Sequence, residues 1–379
     1  MTPLFFRLWI LTGLLTFLST GGGDLLFAAE LSPETKAFLE DRFKMLKTPG
    51  AIVVMRSGDD APQSLAFGEA EVLSHRPVSI DHHFRIGSLS KMFVGTTVLI
   101  LAGEEKLSLD DPISKFVDGL PNSDKITLRQ VGNHRSGLFN HIEAKKVKQA
   151  FAAEPQRWWT NEELLMVPRQ APPYFEPGKE HHYSNANTLV LALAIEKVTG
   201  RPWGEIVTER VIKPLGLGQT TIPTDNSIPA PVARGYAYGT KEGAFFHRGD
   251  VLIDVTDTSP SWWGPAGSMI STASDLAKAI KPLATGKLLS ENMREELFHW
   301  TPADQKDYEY GFHIERIQKM AIGHDGDVPG YQCCMYYLPE HDASVVVLTN
   351  MYGWSIRDMP ACRLFGEVVE KGLKVSSTP

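Results

Sequence analysis

Ser88 and Lys91, in the stretch Phe84-Arg-Ile-Gly-Ser-Leu-Ser-Lys-Met-Phe-Val-Gly-Thr96, set a hydroxyl and an amine three residues apart. On a helix, residues three apart are neighbours, so the amine can supply the base that a serine hydroxyl needs to become a nucleophile. A chain of this length holds about one such pair by chance, so the reading depends on what else the chain offers. Tyr183-Ser-Asn185 is the one Tyr-x-Asn of the chain. In extended backbone a spacing of two sends both side chains the same way. A phenol acts as a general base only where cations lower its pKa from about 10. His324-Asp-Gly326 is the third candidate, a histidine beside a glycine that lets substrate lie close to the backbone. His247-Arg-Gly249 has the same form but follows Gly243-Ala-Phe-Phe and precedes no comparable hairpin. His324 is therefore the functional candidate and His247 a turn residue.

These residues need elements to position them. Ser32 to Lys47 reads as a helix, with Ser32 as cap and Pro33 in its first position. Ala51–Met55 and Ser64–Val72 read as strands joined at Ser57-Gly-Asp-Asp60. Ser88 is expected to open a helix that runs through Leu101, apolar on nearly every face and hence central. From Leu107 to Leu289 helical segments and loops dominate. The proline-rich Val167–Gly178 reads as an irregular loop, Thr188–Val198 as a helix closed by Gly200, and Thr272-Ala-Ser-Asp275 as a capping box for a helix to Leu283. Strand signals return at Gly311–Arg316 and Met320–His324, then at Tyr331–Leu338 paired with Ala343–Thr349 across Pro339–Asp342. A last helix is expected over Ile356–Lys371. Strands at both ends around a helical middle predict an α+β fold: an antiparallel sheet flanked by N- and C-terminal helices, a mainly helical subdomain, and a cleft between them.

Composition bounds the function. The 379 residues are 42% hydrophobic and 22% charged, as in soluble globular proteins. A net charge of −7, with no basic run interleaved with aromatics, argues against a nucleic-acid surface. Arg7 followed by apolar Leu8–Leu18 is too short for a stable membrane span and reads as a secretory signal peptide within residues 1–29. Export, to the periplasm or the medium, is expected. Cys333 and Cys334 would face opposite sides of a strand; either one of them bridges to Cys362 or all three are buried thiols. Trp158-Trp159 and Trp262-Trp263 suit a cleft wall or the core. His82-His83 and His181-His182 lack ligand spacing of the His-Glu-x-x-His kind, so neither a metal nor a cofactor is expected.

Taken in order, Ser88/Lys91, Tyr183/Asn185 and His324-Asp-Gly326 resemble the penicillin-recognising serine hydrolases: class C β-lactamases, DD-peptidases and related esterases. Asn133-His-Arg-Ser-Gly-Leu138, Tyr183-Ser-Asn-Ala-Asn187 and Gly267-Ser-Met-Ile-Ser-Thr-Ala-Ser-Asp-Leu276 carry the same resemblance, which spans about Leu31 to Glu370. It implies a β-lactamase/transpeptidase-like fold, with a catalytic domain at 30–374. Its sheet subdomain would take about 30–106 and 300–374, and its helical subdomain about 107–299. The resemblance further implies that Ser88 is the nucleophile and carries the acyl group, with Lys91 and Tyr183 sharing its activation. Asn185 would hold the substrate's amide or acyl chain, and the backbone N–H groups of Ser88 and Asp327 would form the oxyanion hole. His324, Gly326 and Asp327 would complete the substrate side.

The late motif departs from the family pattern. His324 stands where β-lactamases carry lysine, and Asp325 replaces a threonine or serine. Histidine is cationic only in mildly acidic solution, and Asp325 or Asp327 adds negative charge nearby. Carboxylate-bearing substrates are thus expected to lose ground as pH rises through neutrality. The implied function is hydrolysis of an amide or ester in a small molecule or peptide, a D-alanyl peptide or small ester first, with cell-wall-derived material among the candidates. A β-lactamase and a catalytically silent cell-wall peptide-binding module are the alternatives.

Overall fold

The computed structural model describes residues 33–239, 249–352 and 359–375, so the expected leader at 1–29, Ser32, His247 and Ile356 lie outside the described residues. The helices among the described residues are α1 (Pro33–Met45), α2 (Ser90–Gly103), α3 (Leu128–Gly132), α4 (Lys145–Ala153), α5 (Asn161–Gln170), α6 (Asn185–Thr199), α7 (Trp203–Val207), α8 (Ala273–Ala284), α9 (Glu291–Leu297) and α10 (Pro360–Val375). The strands are β1 (Gly50–Ser57), β2 (Gln63–Glu71), β3 (Arg76–Pro77), β4 (Phe84–Arg85), β5 (Tyr236–Gly239), β6 (Val251–Asp254), β7 (Ile270–Ser271), β8 (Thr301–Pro302), β9 (Tyr308–Tyr310), β10 (Glu315–Ile317), β11 (Ala321–Val328), β12 (Tyr331–Leu338), β13 (Ala343–Thr349) and β14 (Met351–Tyr352).

One antiparallel sheet runs in the order β3-β2-β1-β13-β12-β11-β10-β9-β8. β1 lies between β2 and β13, with Ala51 opposite Thr349 and Ser57 opposite Ala343. The two ends of the chain thus complete a single sheet, as the strand signals at both termini predict. Side chains alternate across a strand, and the alternation sorts the residues into two cores. Ile52, Val54, Cys333, Met335, Val346 and Leu348 join the core that also takes α2, α6 and α8. Ala51, Val53, Met55, Cys334, Val345 and Val347 join the core under α1 and α10. Covered on both faces, β12 and β13 read as unbroken buried runs. α2 is buried from Phe93 and Val94 through Val98 and Leu99; burying each such side chain contributes about 1.5–3 kcal/mol. The helix that carries Lys91 is therefore a fixed platform. α8, drawn from the 107–299 stretch, packs on β1, β12 and β13 and forms part of the sheet's inner layer.

Three local expectations change. α5 extends to Gln170, so Val167-Pro-Arg169 is helical and the loop begins only at Ala171. Pro168 sits in the last turn of that helix, while Thr160 and Glu163 close a capping box at its start. β11 does not end at His324-Asp-Gly326 but continues to Val328, because pairing with β12 persists until Val328 faces Tyr331. Thr272 caps α8 by accepting from Asp275 N at 3.3 Å. The box stays half-formed because the Asp275 carboxylate accepts instead from Gln219 N at 2.7 Å and Thr220 Oγ1 at 3.0 Å. Cys334 and Cys362 form a disulfide with Cα atoms 5.6 Å apart, tying β12 to the start of α10, while Cys333, on the other face, is a buried thiol. No helix of the described residues is long and apolar enough to cross a membrane.

Candidate active site

Ser88 sits in a single 3-10 turn, Gly87–Leu89, that leads into α2 rather than in the α-helix itself. Gly87 adopts φ +54°, and a Cβ there would lie 2.8 Å from Asp327 N. A Cβ on Gly326 would lie 2.2 Å from Ile86 O and 3.2 Å from Ser88 N. Two glycines thus bring the Ser88 turn into backbone contact with β11, and the Ser88 and Asp327 amides border the same junction. Lys91 Nζ donates to Ser88 Oγ at 3.0 Å, to Asn185 Oδ1 at 2.8 Å and to Ala266 O at 2.8 Å. Lys91 is fully buried; an amine out of water is tolerated only with its N–H groups satisfied.

Ser184, between Tyr183 and Asn185, is extended and Asn185 is the first residue of α6, so the spacing of two aims both side chains at one point. The Tyr183 hydroxyl donates to Ser88 Oγ at 2.9 Å, and Lys91 Nζ lies 4.9 Å from the centre of its ring. Behind Tyr183, His134 stacks at 4.5 Å with ring planes 25° apart. His134 Nδ1 accepts from Ser184 N at 3.2 Å and from Asn187 Nδ2 at 2.9 Å. Burial first, then the neighbouring His313, His181 and Lys91, pushes the His134 imidazole well below its ordinary pKa, so the ring is neutral. Asn140 Oδ1 accepts from Asn185 N at 3.2 Å and Nδ2 at 3.3 Å.

The pattern of the beta-lactamase family matches residues 36–359. The chain belongs to the beta-lactamase family of serine hydrolases. The teichoic acid D-alanine hydrolase of Staphylococcus aureus is 30% identical over 271 residues, 70% of this chain, which spans 61% of that protein's length. A crystal structure of a D-stereospecific amidohydrolase from Streptomyces sp. shares 29% identity over 84% of this chain and 94% of that one, with a TM-score of 0.74. The D-amino acid amidase of Ochrobactrum anthropi SV3, complexed with L-phenylalanine amide, shares the fold at a TM-score of 0.79 and 23% identity, covering 90% of this chain and 98% of that one.

In this member of the beta-lactamase family the Ser88 hydroxyl opens into a cavity of about 470 Å³. Tyr183 and Asn185 line it, with Phe151, Trp262 and Trp263 as an apolar wall. Phe151 and Trp262 stack at 4.0 Å, whereas Trp158 and Trp159 lie outside the cavity, Trp158 exposed and Trp159 buried. The β11 residues divide by pleat. Asp325 and Asp327 line the cavity, whereas His324 is fully buried and does not. The His324 ring lies 6.1 Å from that of Tyr183, and its Nδ1 donates to Asp325 O at 2.5 Å. An attraction between His324 and a substrate carboxylate therefore has no direct path. Nor does Asp327 add a negative charge: burial, reinforced by the neighbouring Asp325, outweighs the Gln332 hydrogen bond and pushes its carboxyl well above the usual range.

Two carboxylates of the cavity, Glu143 and Asp304, were not legible as chemistry in the sequence. Glu143 accepts from Tyr174 OH at 2.8 Å and Asn140 Nδ2 at 3.2 Å, with His182 at 3.9 Å. Burial opposes its ionisation, but the nearby His182 and the hydrogen bonds from Tyr174 and Asn140 prevail and hold it below the usual carboxylate range. Asp304 faces His181 Nδ1 at 3.2 Å and is likewise held low against its burial. Among the described residues Glu315, His324 and Asp325 bring potential metal-ligating atoms within 4.8 Å of one another. Glu315 already accepts from Tyr310 OH at 2.9 Å and from Tyr336 OH, so the group reads as a hydrogen-bonded wall. His82 and His83 bond to Ser79 and Pro231 O, away from the cavity.

Proposed function

We propose that the chain hydrolyses D-aminoacyl esters or amides, D-alanyl foremost, through an acyl-serine intermediate, outside the cytoplasm. The observation that carries this reading is Ser88 Oγ held between Lys91 Nζ at 3.0 Å and Tyr183 OH at 2.9 Å, in a cavity with a fixed carboxylate at Glu143. A free D-aminoacyl group brings an ammonium, and Glu143, Asp304 and Asp325 supply the matching charge. A substrate carboxylate would meet those acids and not the buried His324. The names of the three relatives above each carry a D-amino acid or D-stereospecific activity, which supports the choice of hand. Export is supported by the apolar stretch Leu8–Leu18 and by the Cys334–Cys362 disulfide, a bond kept in oxidising compartments.

In this reading Ser88 Oγ attacks the carbonyl carbon. The serine proton passes to the coupled Lys91–Tyr183 pair, both members of which contact Oγ; one member is deprotonated at that moment, as a Lys91 amine or as a Tyr183 phenolate beside the Lys91 ammonium. The carbonyl oxygen becomes an anion facing the Ser88 and Asp327 amides, each such donor contributing about 3 kcal/mol in the transition state. The C–O or C–N bond breaks as the proton passes to the leaving alcohol or amine. Water then attacks the acyl-serine, loses its proton to the same pair, and releases the D-amino acid and Ser88.

The test is turnover of D-alanine methyl ester and D-alaninamide beside their L-enantiomers, with Ser88→Ala as control. The D forms are expected to lead by at least about tenfold in kcat/KM, a pocket-contact difference of about 1.4 kcal/mol, and Ser88→Ala to abolish turnover and labelling by a serine-reactive phosphonate. Equal rates for both hands would overturn the substrate assignment. Absence of a Ser88-dependent adduct would leave the silent binding module instead. A chromogenic cephalosporin, expected to lag the D-alanyl ester, tests the β-lactamase alternative.

A further inference from the structure

α4 opens with Lys145-Lys-Val-Lys148 and holds no acidic residue along Lys145–Ala153, in a chain whose net charge is −7. Lys145, Lys146 and Lys148 are exposed. Among the described residues none of them enters an ion pair; Lys146 Nζ donates to the neutral Gln170 Oε1 at 3.0 Å. Stability does not explain this cluster. Cations at a helix N-terminus oppose the macrodipole and cost about 0.3–1 kcal/mol each, and Ala144 offers no side-chain cap. Position suggests a use, because Lys148 lines the same cavity as Ser88. The cavity wall therefore carries both signs, the carboxylates of Glu143, Asp304 and Asp325 and the amine of Lys148, from which the exposed Lys145 and Lys146 continue along α4.

A ligand that matches both ends has a cationic tip and an anionic body. A D-aminoacyl ester on a polyol-phosphate chain has that arrangement, its ammonium at the tip and phosphodiesters along the backbone. We propose that the lysine edge of α4 is a docking strip for an anionic phosphodiester polymer that bears D-aminoacyl esters. This proposal rests on the D-aminoacyl reading of the cavity and adds the part of the substrate that remains outside it. The strip takes no part in bond breaking; it raises the local concentration of esters at the cavity mouth, an effect that weakens as salt screens the charges.

The experiment titrates the full chain with fluorescent poly(glycerol phosphate) that carries no esters, across a range of salt. Lys145→Gln/Lys146→Gln/Lys148→Gln is expected to bind at least about tenfold more weakly at low salt, with a log–log salt slope shallower by about 2. Lys197→Gln/Lys213→Gln, which removes one exposed lysine in the last turn of α6 and one beyond it, is expected to bind within twofold of the parent. Thermal melts check folding; should the triple variant melt early, Lys148→Gln alone is read, with its slope shallower by about 0.7. Binding by the parent that is absent, unchanged in the α4 variants, or equally weakened in the α6 control overturns the proposal. The two readings separate cleanly. Lysine-dependent polymer binding without turnover of D-alanine methyl ester keeps the strip and removes the D-aminoacyl reading. Turnover of the small ester without polymer binding does the reverse.

Discussion

Tyr183 serves Ser88 only while its hydroxyl stays within 2.9 Å of Oγ, and the His134 ring stacked behind it fixes that position. His134 Nδ1 accepts two hydrogen bonds and the residue adopts φ +58°, a conformation that asparagine tolerates better than other side chains. His134→Asn therefore keeps an acceptor and the backbone but loses the stack. It is expected to lower kcat about tenfold with KM nearly unchanged, and to shift the pH profile of kcat/KM because Tyr183 loses its fixed place. A role in stability alone would leave the profile in place, which steady-state kinetics across pH would reveal. Tyr183→Phe removes the hydroxyl itself and is expected to cost about 10²–10⁴ in kcat, the range for a positioned acid–base group. The pairs Ser88–Lys91 and Tyr183–Asn185 were legible in the sequence because short spacing on regular backbone fixes their direction. His134 lay in a segment marked only by resemblance, and Asn140 and Glu143 were not marked at all, because the contacts that tie them to Asn185, Tyr174 and His182 cross 31 to 45 residues.

Between the residues and the whole chain lies one decisive contact, the Ser88 turn against β11. Gly326 has no room for a methyl group, since its Cβ would stand 2.2 Å from Ile86 O. Gly326→Ala is expected to push β11 from the turn, with a loss of about 1–3 kcal/mol from overpacking and of most activity, because the Ser88 and Asp327 amides no longer converge. Wild-type kcat in that variant would contradict the junction's role. Asp327 offers the opposite case. Its carboxyl is raised well above the usual range by burial and by Asp325, so the unfolded chain releases that proton at lower pH than the folded chain does. Folding is thereby penalised increasingly as pH rises from about 4. Asp327→Asn keeps the shape and the backbone N–H; it is expected to raise Tm by a few degrees at neutral pH and by less in acid. The hairpin Tyr331–Thr349 was legible because both of its strands are unbroken apolar runs. The continuation of β11 through Asp325-Gly-Asp327 was not, because these residues are poor strand formers and only pairing with β12 holds them extended.

At the scale of the whole molecule, stability rests on a sheet with a core on each face, and both cores contain groups that acid or reductant can reach. The Cys334–Cys362 bond closes a separation of 28 residues, for which chain-entropy arguments give about 3–4 kcal/mol; Cys362→Ala is expected to lower Tm, a change read directly by calorimetry. On the helix side of the sheet His141 and His313 are wholly buried, as is the neutral His134. Burial pulls His141 down to about 4 and His313 down to about 3. His313 is fixed in its neutral form, with Nδ1 donating to Gly132 O at 2.9 Å and Nε2 accepting from Thr188 Oγ1 at 3.0 Å. In the unfolded chain a histidine titrates near 6.5, so below that pH the unfolded state binds protons that the folded state excludes. The stability present above pH 6.5 is then lost as pH falls, by about 1.4 kcal/mol per pH unit for each histidine, down to about pH 4 for His141 and about pH 3 for His313. Asp327 works in the other direction over this window, so the parent's slope is a difference of opposed effects. His313→Gln isolates one of them: its unfolding free energy is expected to depend on pH less steeply than the parent's by about 1.4 kcal/mol per unit between pH 6 and 4.5. Denaturant melts of parent and variant at several pH values measure that difference in slope, and identical slopes would show that the His313 site admits a proton in the folded state.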